Sequence, residues 1–150
     1  MSPAVRITRR LLAALALMLA GPVLAGNPLL ISEPWIRATP PGATAAAAYL
    51  VITNSGTVDD HLLQAHCDAA AEVMVHVTSL VNGVLEMGDG ALEVPAHGAA
   101  RLVPKGSHLM LLGLKRPLRA GESVHLTLRF AHAGTIGLEV PVRPATGAEP

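Results

Sequence analysis

Residues 122–131 alternate with a period of two: Val124, Leu126, Leu128 and Phe130 fall on one side, His125, Thr127 and Arg129 on the other. Successive side chains of a strand point to opposite faces, so this run predicts a strand with one face against a core and one toward water. A helix would need apolar positions three and four apart, and no stretch of the mature chain has that period. Other strand-like runs follow the same logic. Leu29 to Ala38 and Ala45 to Thr53 are separated by Pro40-Pro41-Gly42, and Asn54-Ser55-Gly56 ends the second. Val73, Val75 and Val77 alternate with Met74, His76 and Thr78, and Asn82-Gly83 then signals a hairpin. Ala91 to Val94 and Ala99 to Val103 flank Pro95-Ala96-His97-Gly98, and Ile136 to Val142 follows a turn at Gly134. Many short strands with turn signals at close intervals predict an all-β fold, an antiparallel β-sandwich or Greek-key barrel.

A chain of 150 residues is one domain, long enough to bury about 65–70% of its unfolded surface. Aromatic residues number only three, Trp35, Tyr49 and Phe130, so the core must be built from Leu, Val and Ala. Residues 1–25 stand apart from the fold. Arg6, Arg9 and Arg10 precede the apolar run Leu11 to Ala20, and Val23-Leu24-Ala25 offers a cleavage site after Ala25. That is a secretory signal peptide, with residues 26–150 expected as the exported mature domain. Thr8-Arg9-Arg10 resembles a twin-arginine signal, but the strongly apolar run fits ordinary secretion better. Position 27 is Asn, with no cysteine there to carry a lipid, so the mature form is expected to be soluble and unanchored.

Removing the leader leaves eight Lys and Arg against eleven Asp and Glu, a net charge of −3 before His. Nothing in that balance resembles a basic nucleic-acid footprint. Cys67 is the one cysteine and is expected to be a small buried hydrophobe, with no intramolecular disulfide available to it. Asp59-Asp60-His61 has the residue types of a hard-metal site, but it is expected to be a solvated strand entry. The tail from Arg143 to Pro150, rich in Pro and Ala, is expected to fray.

The chemistry lies between Met74 and Met110. His76 and Met87 are separated by ten residues, Met87 and His108 by twenty, and His108 and Met110 by one. All four are expected on strand faces opposite the Val and Leu rows. Residues two apart on a strand share a face with Cα atoms about 7 Å apart, and the Asn82-Gly83 hairpin folds Met87 back toward His76. Two imidazoles and one or two thioethers can then meet at one end of the domain, with no carboxylate among them. Such soft, neutral donors suit Cu(I) better than Zn²⁺, Mg²⁺ or Ca²⁺. Taken singly, a Met among Val and Leu is core filler and a lone His is a surface residue; the combination is what points to a metal. Met74 shares a face with His76 and is the reserve ligand.

The spacing H-x10-M-x20-H-x-M resembles that of the periplasmic copper(I) chaperones of the PCuAC type. It is set here among Val81-Asn82-Gly83-Val84-Leu85-Glu86-Met87 and Pro104-Lys105-Gly106-Ser107-His108-Leu109-Met110. The series Trp35-x-Arg37, Ala47-Ala48-Tyr49 and Asn54-x-Gly56 is also similar, so the resemblance covers residues 30–142. One residue fewer than usual separates Met87 from His108, within the Gly- and Pro-containing run 88–107. The resemblance implies a cupredoxin-like fold and one Cu(I) held by His76, Met87, His108 and Met110. It also implies delivery to the dinuclear copper centre of cytochrome c oxidase subunit II, alongside a thioredoxin-like copper chaperone. Relatives that extend the C-terminal tail with Met and His differ from this chain, which does not.

Three function classes compete on the residues alone: a copper carrier, a redox copper protein, and a structural or adhesive domain without metal. A blue-copper site needs a thiolate with two His and a weak axial Met, and Cys67 lacks the tight Cys–His–Met loop. An enzyme is disfavoured by the absence of a nucleophile motif and of zincin or deaminase spacings. The ligand set favours the carrier.

Overall fold

A computed structural model describes residues 26–145 of the chain. The signal peptide expected over residues 1–25 lies outside the described residues, as does the end of the expected frayed tail, residues 146–150. Ten strands and no helix make up the described residues. In order they are β1 (Leu29–Arg37), β2 (Ala45–Asn54), β3 (Asp60–Cys67), β4 (Ala70–Val81), β5 (Val84–Asp89), β6 (Leu92–Val94), β7 (Gly98–Leu102), β8 (His108–Leu114), β9 (Ser123–Phe130) and β10 (Thr135–Arg143).

Seven of them close into a barrel in the order β4-β8-β2-β1-β10-β9-β3, and a β3–β4 pairing, Ala65 with Val73, completes the ring. Closure removes the free edges that an open sheet would expose. Three short strands extend the wall. β5 hangs on β4, β6 pairs with β3 through Asp60–Leu62, and β7 pairs with β2 through Leu50–Asn54. All pairings are antiparallel except that of β1 with β10. The all-β, cupredoxin-like Greek-key expectation is met.

The core follows the alternation. Val124, Leu126, Leu128 and Phe130 of β9 are buried, as are Val75 of β4 and Leu109 and Leu111 of β8. The even-numbered residues of β4 and β8 therefore turn to the outer wall, where His76, His108, Met74 and Met110 lie. Cys67 is fully buried in the core, as expected of a small hydrophobe.

One expectation fails at the start of β3. Asp60 is not solvated; it is 3% exposed. Its carboxylate accepts the backbone N–H groups of His61 at 2.7 Å, His132 at 2.9 Å and Ala133 at 2.8 Å, tying β3 to the turn after β9. Burial alone would raise its pKa. The three backbone donors, with the charge of His132, outweigh that and lower it.

Candidate metal centre

The hairpin that begins at β4 is set by its turn. Asn82 and Gly83 both adopt positive φ, 50° and 80°, which is the two-residue loop whose twist matches the flanking strands. Val81 then pairs with Val84, and the ladder runs on through Leu80 with Leu85, Thr78 with Met87 and His76 with Asp89. On the other side of β4, Met74 pairs with Met110 and His76 with His108. Directly paired residues share a face, as do residues two apart. One outer face of three strands therefore carries Met74 and Met110, then Asp89, His76 and His108, then Thr78 and Met87, then Leu80 and Leu85.

The two imidazoles meet in the middle of that array. His76 Nδ1 stands 3.3 Å from His108 Nε2, with the rings edge to face at 74° and their centroids 5.0 Å apart. Two nitrogens each about 2.0 Å from one tetrahedrally bound ion lie about 3.3 Å apart. The pair is thus spaced to share a metal with little rearrangement. His108 Nδ1–H donates to the carbonyl of Gly106 at 2.9 Å. That carbonyl is aimed by a tight loop in which Val103 N–H donates to Ser107 O and Gly106 N–H to Val103 O. A Cβ at Gly106 would stand 2.9 Å from Val103 Cγ2, so a side chain there would have to push Val103 aside. Ser107 Oγ in turn accepts the N–H of Thr78 at 3.0 Å, locking the loop onto β4.

With the His108 hydrogen on Nδ1, its Nε2 turns a lone pair toward His76 Nδ1. A carboxylate oxygen of Asp89 lies 3.1 Å from the other nitrogen of His76, Nε2. The absence of carboxylates expected from sequence is therefore corrected: Asp89 flanks the site. A two-residue hairpin loop fixes which positions face each other, so counting back from Asn82-Gly83 places residue 89 opposite His76. Behind His108 the wall continues into Tyr49, with ring centroids 6.4 Å apart, and Trp35, 4.5 Å beyond. Both of those rings are buried and back the imidazole.

Exposure is graded across the face. His76, His108, Met74 and Met110 are half-buried, whereas Met87 is 54% exposed. Thr78 Oγ1, beside Met87, is buried without a hydrogen-bond partner, an orphaned oxygen within the array. A groove of about 280 Å³ floored by Ala45 and Ala47 opens beside Met110 and ends at Arg37 and Pro40. Among the described residues no three His, Cys, Asp or Glu side chains form a group that could hold a metal. Imidazoles and carboxylates alone do not make a site here; thioethers would have to complete it.

A family model described as "Putative lipoprotein LpqE-like" matches residues 29–142, the whole barrel. The chain belongs to the LpqE-like family. A relative from Leifsonia xyli subsp. xyli (strain CTCB07), "Putative lipoprotein Lxx21020", is 38% identical over 120 residues, covering 79% of this chain and 71% of that protein. Among solved structures, the copper-bound PCuAC domain from PmoF2 matches with a TM-score of 0.67 and 26% identity, over 78% of this chain and 93% of that one. The CuI-DR1885 solution structure from Deinococcus radiodurans matches with a TM-score of 0.61 and 30% identity, over 74% and 75%. This LpqE-like chain is therefore also of the PCuAC kind. Its general character is that of a copper-chaperone-like protein rather than an enzyme. The lipoprotein description of the family agrees with the periplasmic location expected from the leader and the resemblance. Among the described residues no helix is long and apolar enough to cross a membrane.

Proposed function

We propose that this protein is a periplasmic copper(I) chaperone that binds one Cu(I) through His76, Met87, His108 and Met110 and hands it to a copper enzyme. The observation that carries the reading is the 3.3 Å approach of His76 Nδ1 to His108 Nε2 on a face flanked by methionines. The donors are soft and neutral, which favours Cu(I) over Cu(II). Cu(I) is bound by the related DR1885, and copper by the PCuAC domain of PmoF2.

A carrier must release as well as bind. No thiolate belongs to the donor set, so an acceptor offering thiolates holds Cu(I) more tightly and draws it away. Met87 lies at the exposed rim, with Leu80 and Leu85 on the same face 68% and 70% exposed. These leucines provide apolar surface beside the point of transfer, where an acceptor would exclude water. The acceptor proposed is the dinuclear copper centre of cytochrome c oxidase subunit II, with a thioredoxin-like copper chaperone as a second partner; the resemblance to PCuAC chaperones supports both.

The test is copper stoichiometry under reducing conditions, followed by transfer to a purified subunit II domain. One tightly held Cu(I) per chain, lost when His76 and His108 are both changed to Ala, is the expected result. A chain that binds no Cu(I) would be a structural domain instead.

A further inference from the structure

An imidazole can bind a metal through either ring nitrogen, and the choice is made by whatever holds the hydrogen on the other. The two histidines of this site are held differently. His108 has the Gly106 carbonyl 2.9 Å from Nδ1, an acceptor that can only receive a hydrogen, so Nε2 is left with its lone pair. His76 has the Asp89 carboxylate 3.1 Å from Nε2, and a carboxylate likewise favours a hydrogen there, leaving Nδ1 for the metal. The two nitrogens so freed are the two that face each other at 3.3 Å.

We infer that Cu(I) is bound through Nδ1 of His76 and Nε2 of His108, and that Asp89 is the positioning residue that fixes the choice at His76. The inference rests on the copper site proposed above and adds to it the unlike nitrogens and the role of Asp89. Turning the His76 ring over would put ring carbons where Nδ1 and Nε2 now stand, so the approach to His108 and the contact with Asp89 would be lost together. The hairpin prevents that indirectly. Its two-residue turn sets Asp89 opposite His76 in register, so the carboxylate arrives with the fold and needs no metal to recruit it. Outer partners of this kind are worth about 10–100-fold in metal affinity. Asp89 is itself largely exposed and absent from the core, so its replacement leaves the barrel intact.

The experiment is nitrogen-resolved NMR on protein with ¹⁵N-labelled histidine, loaded with Cu(I) under reducing conditions, together with Cu(I) affinity by competition with a chelator. In the loaded wild type, His76 should show a metal-bound Nδ1 and a protonated Nε2, and His108 the reverse. Asp89→Ala should lower affinity about 10–100-fold and blur the His76 assignment. Asp89→Asn, whose side-chain oxygen still accepts a hydrogen bond, should recover most of both. His76 bound through Nε2, or an Asp89→Ala variant with unchanged affinity and unchanged nitrogens, overturns the role of Asp89 while leaving the copper site standing. If Cu(I) perturbs neither ring, the copper site itself falls, and this inference with it.

Discussion

His76 and His108 are register partners across β4 and β8, thirty-two residues apart in sequence, and their ring nitrogens meet at 3.3 Å. That pairing is the centre from which the methionines are reached: Met74 and Met110 one step along the ladder, Met87 one step the other way and one strand over.

The ligand series gives the first prediction. His76→Ala and His108→Ala should each weaken Cu(I) binding by about 10-fold or more, the minimum expected when outer partners alone are worth that much. Met87→Ala and Met110→Ala should weaken Cu(I) binding more than any residual Cu(II) binding, because thioethers are soft. Met74→Ala should matter less. Chelator competition measures the affinities, and unchanged thermal unfolding of the apo-proteins checks that the fold is kept.

Acidification should release the ion. An imidazole binds copper only in its neutral form, through a nitrogen lone pair, so protons compete with copper. Here the two nitrogens that would take the metal face each other at 3.3 Å. Cu(I) affinity measured between neutral and mildly acidic conditions should fall, and His108→Ala should flatten the slope. A flat wild-type profile would assign the binding to the thioethers alone.

The loaded protein should be colourless and silent in electron paramagnetic resonance. Cu(I) is d¹⁰, and no thiolate is near it. Cys67 is buried in the core, and that burial raises its pKa and keeps the thiol neutral. Cys67→Ser should leave copper stoichiometry unchanged. A blue product on aerobic loading, abolished by Cys67→Ser, would make the protein an electron carrier.

Acid stability should depend on Asp60. Its folded pKa is lowered, so its contribution is fully present above the unfolded carboxyl value of about 3.9 and is lost as pH falls through the folded value. Asp60→Ala leaves three backbone N–H groups without their acceptor and should cost about 1–3 kcal/mol or more at neutral pH. Urea unfolding of both proteins should show the difference shrinking once the pH passes well below 4.

The strands and the hairpin were legible because alternation and turn chemistry are local. Val124 to Phe130 announces its buried side without any neighbour, and Asn82-Gly83 fixes a register by itself. The same register made Asp89 legible in principle, although a carboxylate thirteen residues from His76 carries no motif. What sequence could not supply was the distant pairing. His76 opposite His108 depends on three intervening strands, and resemblance to a family stood in for it. Asp60 was misread for a related reason: an acidic pair at a turn has the composition of a solvated loop, and only the remote N–H groups of His132 and Ala133 explain its burial.

The parallel pairing of β1 with β10, Ile36 beside Val142 and Arg37 beside Arg143, joins the first strand of the barrel to the last. A polypeptide delivered N-terminus first can pair β1 with β2 at once but must leave the other edge of β1 open until the last strand has emerged. The three strands that carry the two histidines and Met87, β4, β5 and β8, are all out before β9 and β10, so the hairpin and the histidine pair can assemble while the ring is still open. During export, the interval before closure is when apolar strands such as β2 stand unprotected, and it ends only with the final ten or so residues of the domain.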